Sequence, residues 1–213
     1  MRERPILFAG PMVQALLAGR KTVTRRVVTE HIHARADAFM AHPSGRFEVL
    51  VDGRSVADLR NHYGQPGDRL WVRETWASLG ALKSGPYVYR ADTDGERVRV
   101  DAAWRPSIHM HRAASRLTLE VTSVCVERLH DITEEDAKAE GLRCLSKDGG
   151  TTWKYGIPDR DGLPGTENTG WPWTDWDKSP RVAFCHLWAS INGIESWAAN
   201  PWVWRIEFKR VSP

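Results

Sequence analysis

The sequence predicts one α+β domain, a small mixed β-barrel with flanking helices and long insertions. Segments with strand character outnumber those with helical character, and nothing alternates strand with helix as a doubly wound parallel sheet requires. A chain of 213 residues, 41% of them hydrophobic, suits one core with generous insertions better than two cores.

The elements follow in order. A first helix is expected from Pro11 to about Ala18, with Pro11 in its first turn, Gly19 just past its end, and Val13, Leu16 and Leu17 as its apolar face. Residues 30–66 read as an irregular polar insertion that holds one short strand, Arg46–Val51. The run Gly64-Gln-Pro-Gly67-Asp68 is a turn. In the strand after it, Leu70, Val72 and Glu74 share one face while Trp71 and Arg73 share the other.

Further strands are expected at Tyr87–Ala91, Arg97–Val100 and Leu117–Arg128. In the last, Leu117, Leu119 and Val121 keep one phase and Val124 and Val126 the other, which calls for a bulge between them. Asp131-Ile-Thr133 opens a helix: Thr133 with Asp136 resembles a capping box, acids fill the first turn, and Gly141 marks the end. Residues 143–180, rich in Gly, Pro, Asp and Trp, form a second long insertion, read as a candidate lid. Ser179-Pro180 starts a third helix that ends near Gly193. Trp202, Trp204, Ile206 and Phe208 then alternate with polar partners in a closing strand.

No run reaches the roughly 18 apolar residues of a membrane span. The apolar stretch Ile6–Gly10 is too short for a secretory signal, so a cytoplasmic location is expected. Cys125, Cys144 and Cys185 are too few and too widely spaced for a disulfide framework. The net charge of +3 allows a nucleic-acid partner without demanding one. Eleven tryptophans supply core or barrel wall, with one or two free to stack on a base.

The densest chemical signal is Gly19-Arg20-Lys21-Thr22-Val23-Thr24-Arg25-Arg26. A lysine near a threonine can act as base for a hydroxyl nucleophile when burial or nearby cations lower its pKa. In a regular strand Lys21 and Thr24 would face opposite ways, so they meet only if the chain turns between them. The other reading is the solvated basic start of a strand.

Gly19-x-Lys21-x-x-Thr24-x-Arg26 resembles the signature of the ASCH domain, a PUA-like family. Gln65-Pro-Gly67-Asp68-Arg-Leu-Trp-Val resembles the family's Gly-Asp strand, Leu129 to Glu140 its acidic helix, and Trp202 to Lys209 its closing strand. The Lys-Thr-x-Thr-x-Arg run is similar to that of the family's bacterial amidohydrolases. The framework with Trp71-Val-Arg-Glu-Thr-Trp76, Trp104 to Met110 and Pro201-Trp202 is similar to phage-encoded members. The resemblance covers about half the chain.

It implies a PUA-like barrel and hydrolysis of the amide of N4-acylcytidine by Lys21, Thr24 and Glu140, with no metal and no cofactor. The expected partner is a small modified nucleoside, and no membrane is expected. The alternative is an RNA-binding or RNA-cleaving module. An oxyanion would be met by backbone N–H groups after Gly19 or Arg26.

Substrate binding is assigned to Arg26, Trp71, Arg73, Glu74 and Trp76. Two readings stay open for Glu74: an inward carboxylate paired with an arginine such as Arg26, or an acceptor for the cytosine edge. Trp71 and Trp76 either stack on the pyrimidine or pack the barrel. For Glu140 the sequence alone suggests surface exposure; only the resemblance raises it. The pairs His31/His33 and His109/His111 could share a strand face, but no further ligand has convincing spacing for a metal.

Overall fold

The structure, a computed structural model, describes residues 1–29, 35–80, 86–93, 103–165 and 170–211. The expected strand over Arg97–Val100 and the His31/His33 pair lie outside them. In chain order the elements are β1 (Glu3–Leu7), α1 (Gly10–Leu17), β2 (Val23–Val27), β3 (Ala38–Ala41), β4 (Arg46–Val51), β5 (Arg54–Arg60), β6 (Arg69–Arg73), β7 (Trp76–Ser78) and β8 (Tyr87–Tyr89). They continue with β9 (Thr118–Arg128), α2 (Glu134–Ala139), β10 (Arg143–Leu145), β11 (Lys154–Gly156), α3 (Pro180–Asn192), α4 (Glu195–Ala198) and β12 (Trp202–Val211). The fold is mixed α+β.

The main sheet runs β1-β6-β9-β12-β2. Only β1 with β6 is parallel; the other neighbours are antiparallel. The expected barrel does not close. Among the described residues β1 and β2 are edge strands that do not pair, and the Arg26 side chain reaches across the gap, donating from Nη2 to the Leu7 carbonyl at 2.6 Å. That gap positions the site.

Several elements follow from local chemistry. After α1, Gly19 adopts φ 71°, and the N–H groups of Gly19 and Arg20 donate back to Leu16 and Ala15. This pattern satisfies the last carbonyls of a helix and needs a residue without a Cβ penalty. Thr133 caps α2, its side chain accepting from the Asp136 N–H at 3.1 Å. The bulge lies between the two phases of β9: Ser123 faces Glu207 and Val121 faces Phe208, leaving Thr122 without a partner. The extra residue moves the inward set from Val121 to Val124.

Three expectations change. Residues 30–66 are not irregular apart from one strand, because β3 and β5 flank β4 in a three-stranded antiparallel sheet. Leu17 is not on the buried face of α1; it is exposed, and Met12, Val13, Ala15 and Leu16 are buried instead. His109 and His111 do not share a strand: His109 ends a short 3₁₀ turn and the His111 ring stands edge-on to Trp76. The insertion 143–180 contributes the β10–β11 hairpin and the buried Trp176.

The core lies between the main sheet and helices α1 and α3, with Val13, Leu16, Leu119, Phe184, Trp188 and Ile206 among its buried members. Ile206 is fully buried on the central run of β12. Ile206→Ala is expected to lower the unfolding free energy by about 2–5 kcal/mol, measurable by chemical denaturation; a loss below about 1 kcal/mol would contradict this placement.

Candidate functional site

Lys21 sits in the turn between α1 and β2, ahead of the strand, so strand alternation does not separate it from Thr24. Both are 4% exposed, and both line a cleft of about 340 Å³ at the gap between β1 and β2. Both side chains thus reach one cleft although regular strand alternation would separate them. Glu140, the C-cap of α2, reaches the same cleft from the other side.

The contacts are short and buried. Lys21 Nζ donates to Glu140 Oε2 at 2.7 Å and to the Glu140 carbonyl at 2.8 Å. The two residues also form a backbone bridge. An ammonium has three hydrogens, so one is left for the cleft. The Thr24 hydroxyl has no hydrogen-bond partner among the described residues, which leaves its oxygen open to a ligand. Gly141, at φ 111°, makes the approach of the two segments possible: a Cβ there would lie 2.9 Å from Ala15 Cβ and 3.4 Å from Lys21 Cβ.

Arg25 is the residue that sequence reasoning passed over. Its side chain is fully buried, and it meets Glu127 and Asp136 at 2.7 Å each and Glu140 at 3.3 Å. Arg205 closes the network on Asp136 at 2.9 Å. Lys21, Arg25 and Arg205 thus face Glu127, Asp136, Glu140 and, beyond Arg205, Glu207. Such a set is retained only when each charge has partners, because stripping water from an ion costs several kcal/mol. The available signal was Arg25 itself, a third cation in the motif, against the acids of α2.

The local pKa directions follow from burial and these neighbours. Burial is the largest influence on the Lys21 amine and pushes its pKa below the ordinary 10.5; Arg25 and Arg26 act the same way, while Glu140 opposes them. Burial also lowers Arg26, although a guanidinium starts so high that it stays cationic. Arg26 finds no carboxylate within ion-pair distance among the described residues. It lies over the Phe8 ring, 5.2 Å from the centroid. The rest of the cleft is mainly apolar, with Phe8, Met12, Phe184, Leu187 and Trp188 in its wall and Thr29, Tyr63 and Asn192 as its further polar members.

The backbone donors divide. Gly19, Arg20 and Lys21 donate to Leu16 and Ala15, and Thr22 to Ala139, so the N–H groups after Gly19 are spent and the expectation of oxyanion donors there is corrected. The β2 edge differs. Val28 N–H donates to Trp202 and Phe208 N–H to Thr22, so the even-numbered residues face β12, and the Val27 N–H points to the open edge.

The other nominated residues are not in the cleft. Glu74 is 2% exposed but its partner is Arg116, at 2.9 and 3.0 Å, not Arg26. Burial, its largest influence, raises its pKa against that pairing. Trp71 and Trp76 form a separate apolar cluster with Met110 and Ala114. Trp76 is fully buried and offers no ring face to a ligand. Arg73 covers the Trp71 ring and donates to the Met110 carbonyl. Each of the four has a structural partner instead of a place at the site.

Among the described residues no group of three or more His, Cys, Asp or Glu side chains is arranged to hold a metal ion. The three cysteines are free thiols, and no helix is long and apolar enough to cross a membrane. Comparison of the chain with family models, curated proteins and solved structures finds no match in any of the three.

Two outcomes are expected. Arg25→Met leaves Glu127, Asp136 and Glu140 short of a cation and should lower stability by about 3–5 kcal/mol in a denaturant titration. Gly141→Ala, strained at its φ and crowded by Ala15, should cost about 1–3 kcal/mol; unchanged melting of this variant would count against the close approach at Lys21.

Proposed function

We propose that the cleft is the active site of an amidohydrolase that cleaves the N4-acyl amide of N4-acylcytidine, giving cytidine and a carboxylic acid. The carrying observation is the buried Lys21 amine, held by Glu140 and depressed in pKa, in one cleft with an unpartnered Thr24 hydroxyl. The ASCH-like, PUA-like resemblance of the Lys21-x-x-Thr24-x-Arg26 run and of the α2 segment supplies the substrate class.

In the proposed reaction neutral Lys21 takes the Thr24 proton as Oγ1 attacks the acyl carbon. The oxyanion is met by the Val27 N–H at the open sheet edge and by the Arg26 guanidinium. The carbon–N4 bond then breaks as Lys21 returns its proton to N4, and cytidine leaves. Water attacks the acyl-Thr24 ester with Lys21 as base; the carboxylic acid departs and Thr24 regains its proton. Glu140 positions the amine throughout. The apolar wall, from Phe8 to Trp188, shelters the ester and the pyrimidine.

An RNA-binding reading of this cleft gains less support, since its wall is mainly apolar and its cations are mostly paired. The test is release of cytidine from N4-acetylcytidine by purified protein, followed by absorbance. Thr24→Ala should reduce kcat by ~10³-fold or more with folding intact; activity near wild type would end the proposal. Because the working base is the neutral amine, kcat/KM should rise with pH as Lys21 loses its proton. The midpoint of that limb should fall below 10.5, the ordinary lysine value. A limb at or above that value would remove Lys21 as the base.

A further inference from the structure

A second cavity, of about 740 Å³, is larger than the Lys21 cleft and is unrelated to it in chemistry. It lies where the start of β1 meets the β3–β4 turn, the end of β5 and the turn before β6. Arg2, Arg4, Arg46 and Arg60 line it, against Asp58 and Asp68. Four guanidinium groups face two carboxylates.

The pairing within the groove leaves the positive charge uncompensated. Arg46 meets Asp58 at 3.2 Å, but both side chains are more than half exposed, and such pairs hold weakly. Asp68 accepts the backbone N–H of Arg2 at 2.7 Å and of Gln65 at 3.2 Å, so it organises the turn. Arg4 is held by the backbone carbonyls of His62, at 3.0 Å, and Asn61, at 3.5 Å. Both bonds come from Nη1, and Arg4 has no carboxylate within ion-pair distance among the described residues, although Asp68 lies close enough to be lowered by its charge. The side chains of Arg2 and Arg60 make no ion pair among the described residues.

A second feature narrows the ligand. A slot of about 260 Å³ adjoins the groove and shares Gly45, Arg46, Asn61, Gly64 and Gln65 with it, adding Pro43, Phe47, Pro66 and Val124. Gly45, at φ 80°, lets the Gln65 side chain occupy the space a Cβ would fill. The β3–β4 turn and the turn before β6 thereby join into one wall. Oriented guanidinium forks suit phosphate oxygens, which they bind in bidentate fashion. A slot beside them that offers Pro43, Phe47 and Pro66 to a ring face and Asn61, Gln65 and Ser123 to its polar edge suits a planar base.

We infer that this groove is a nucleotide site: Arg2, Arg4 and Arg60 hold phosphate, and the slot beside Arg46 takes a base. The phosphate belongs to a nucleoside phosphate or to a single-stranded RNA. The site stands whether or not the proposed hydrolysis does, since binding alone reports it.

The test uses the full chain with two probes, cytidine 5′-triphosphate by calorimetry and a fluorescein-labelled single-stranded RNA by anisotropy over a salt series. Arg2→Ala/Arg60→Ala removes two exposed side chains that hold no fold contact. It should weaken the bound probe at least tenfold. For RNA it should also flatten the plot of log K against log salt by about 1.4, given about 0.7 per phosphate contact on single strands. Binding of the triphosphate alone assigns the site to nucleoside phosphates; binding of RNA assigns it to a polynucleotide. The inference is overturned if neither probe binds, if the double variant binds as wild type does, or if cytidine binds as tightly as its triphosphate.

Discussion

The structure depends on the ion pair between Lys21 and Glu140, two residues 119 positions apart in sequence. Neither charge would stay below the surface alone, because a lone buried ion loses several kcal/mol of hydration. Together with Arg25 and Arg205 against Glu127 and Asp136, they form a network in which every charge has an opposite partner. This set ties the turn after α1 to the end of α2, to β9 and, through Arg205, to β12. The network links α2 and the turn after α1 to the sheet, while apolar residues such as Ile206 and Val13 supply the driving force.

The same set explains why the sheet stays open. Closing β1 onto β2 would place strand against strand where Lys21, Thr24 and Arg26 now face a cleft. The Arg26 contact to Leu7 spans that opening with a side chain and leaves the β2 backbone edge unpaired. An exposed edge is normally a liability. Here it is narrow, flanked by α3, and lined by charge. The sequence suggested a barrel because strand number and alternation are local features, whereas closure depends on which edges meet.

Much of the fold was legible because its signals are short-range. Gly19, Thr133, Gly141 and Pro180 act within one helical turn, and the phase change within β9 could be counted along the chain. The insertion sheet was hidden for the opposite reason. β5 buries little besides Leu59, and β3 is almost all exposed, so neither shows the period-two alternation that marks a half-buried strand. Leu17 misled because a narrow helix needs only one stripe, which Met12, Val13 and Leu16 already fill.

Among the nominated residues, the motif positions Lys21, Thr24, Arg26 and Glu140 line one cleft, whereas the strand-phase candidates around Glu74 do not. Glu74 and Glu140 are almost equally hidden, at 2% and 4% exposure, although strand phase marked only Glu74 as inward and the sequence alone suggested an exposed Glu140. Their partners distinguish them. Arg116 grips both oxygens of Glu74 in a fork, and burial raises the carboxyl pKa against that pairing. Glu140 faces an amine, whose proton can leave, and shares its second oxygen with Arg25 at a longer distance. A carboxylate bound to a permanent cation stabilises a fold; one bound to a titratable cation can also tune it. Among the described residues, the cleft with Thr24 is where that second arrangement meets a free hydroxyl.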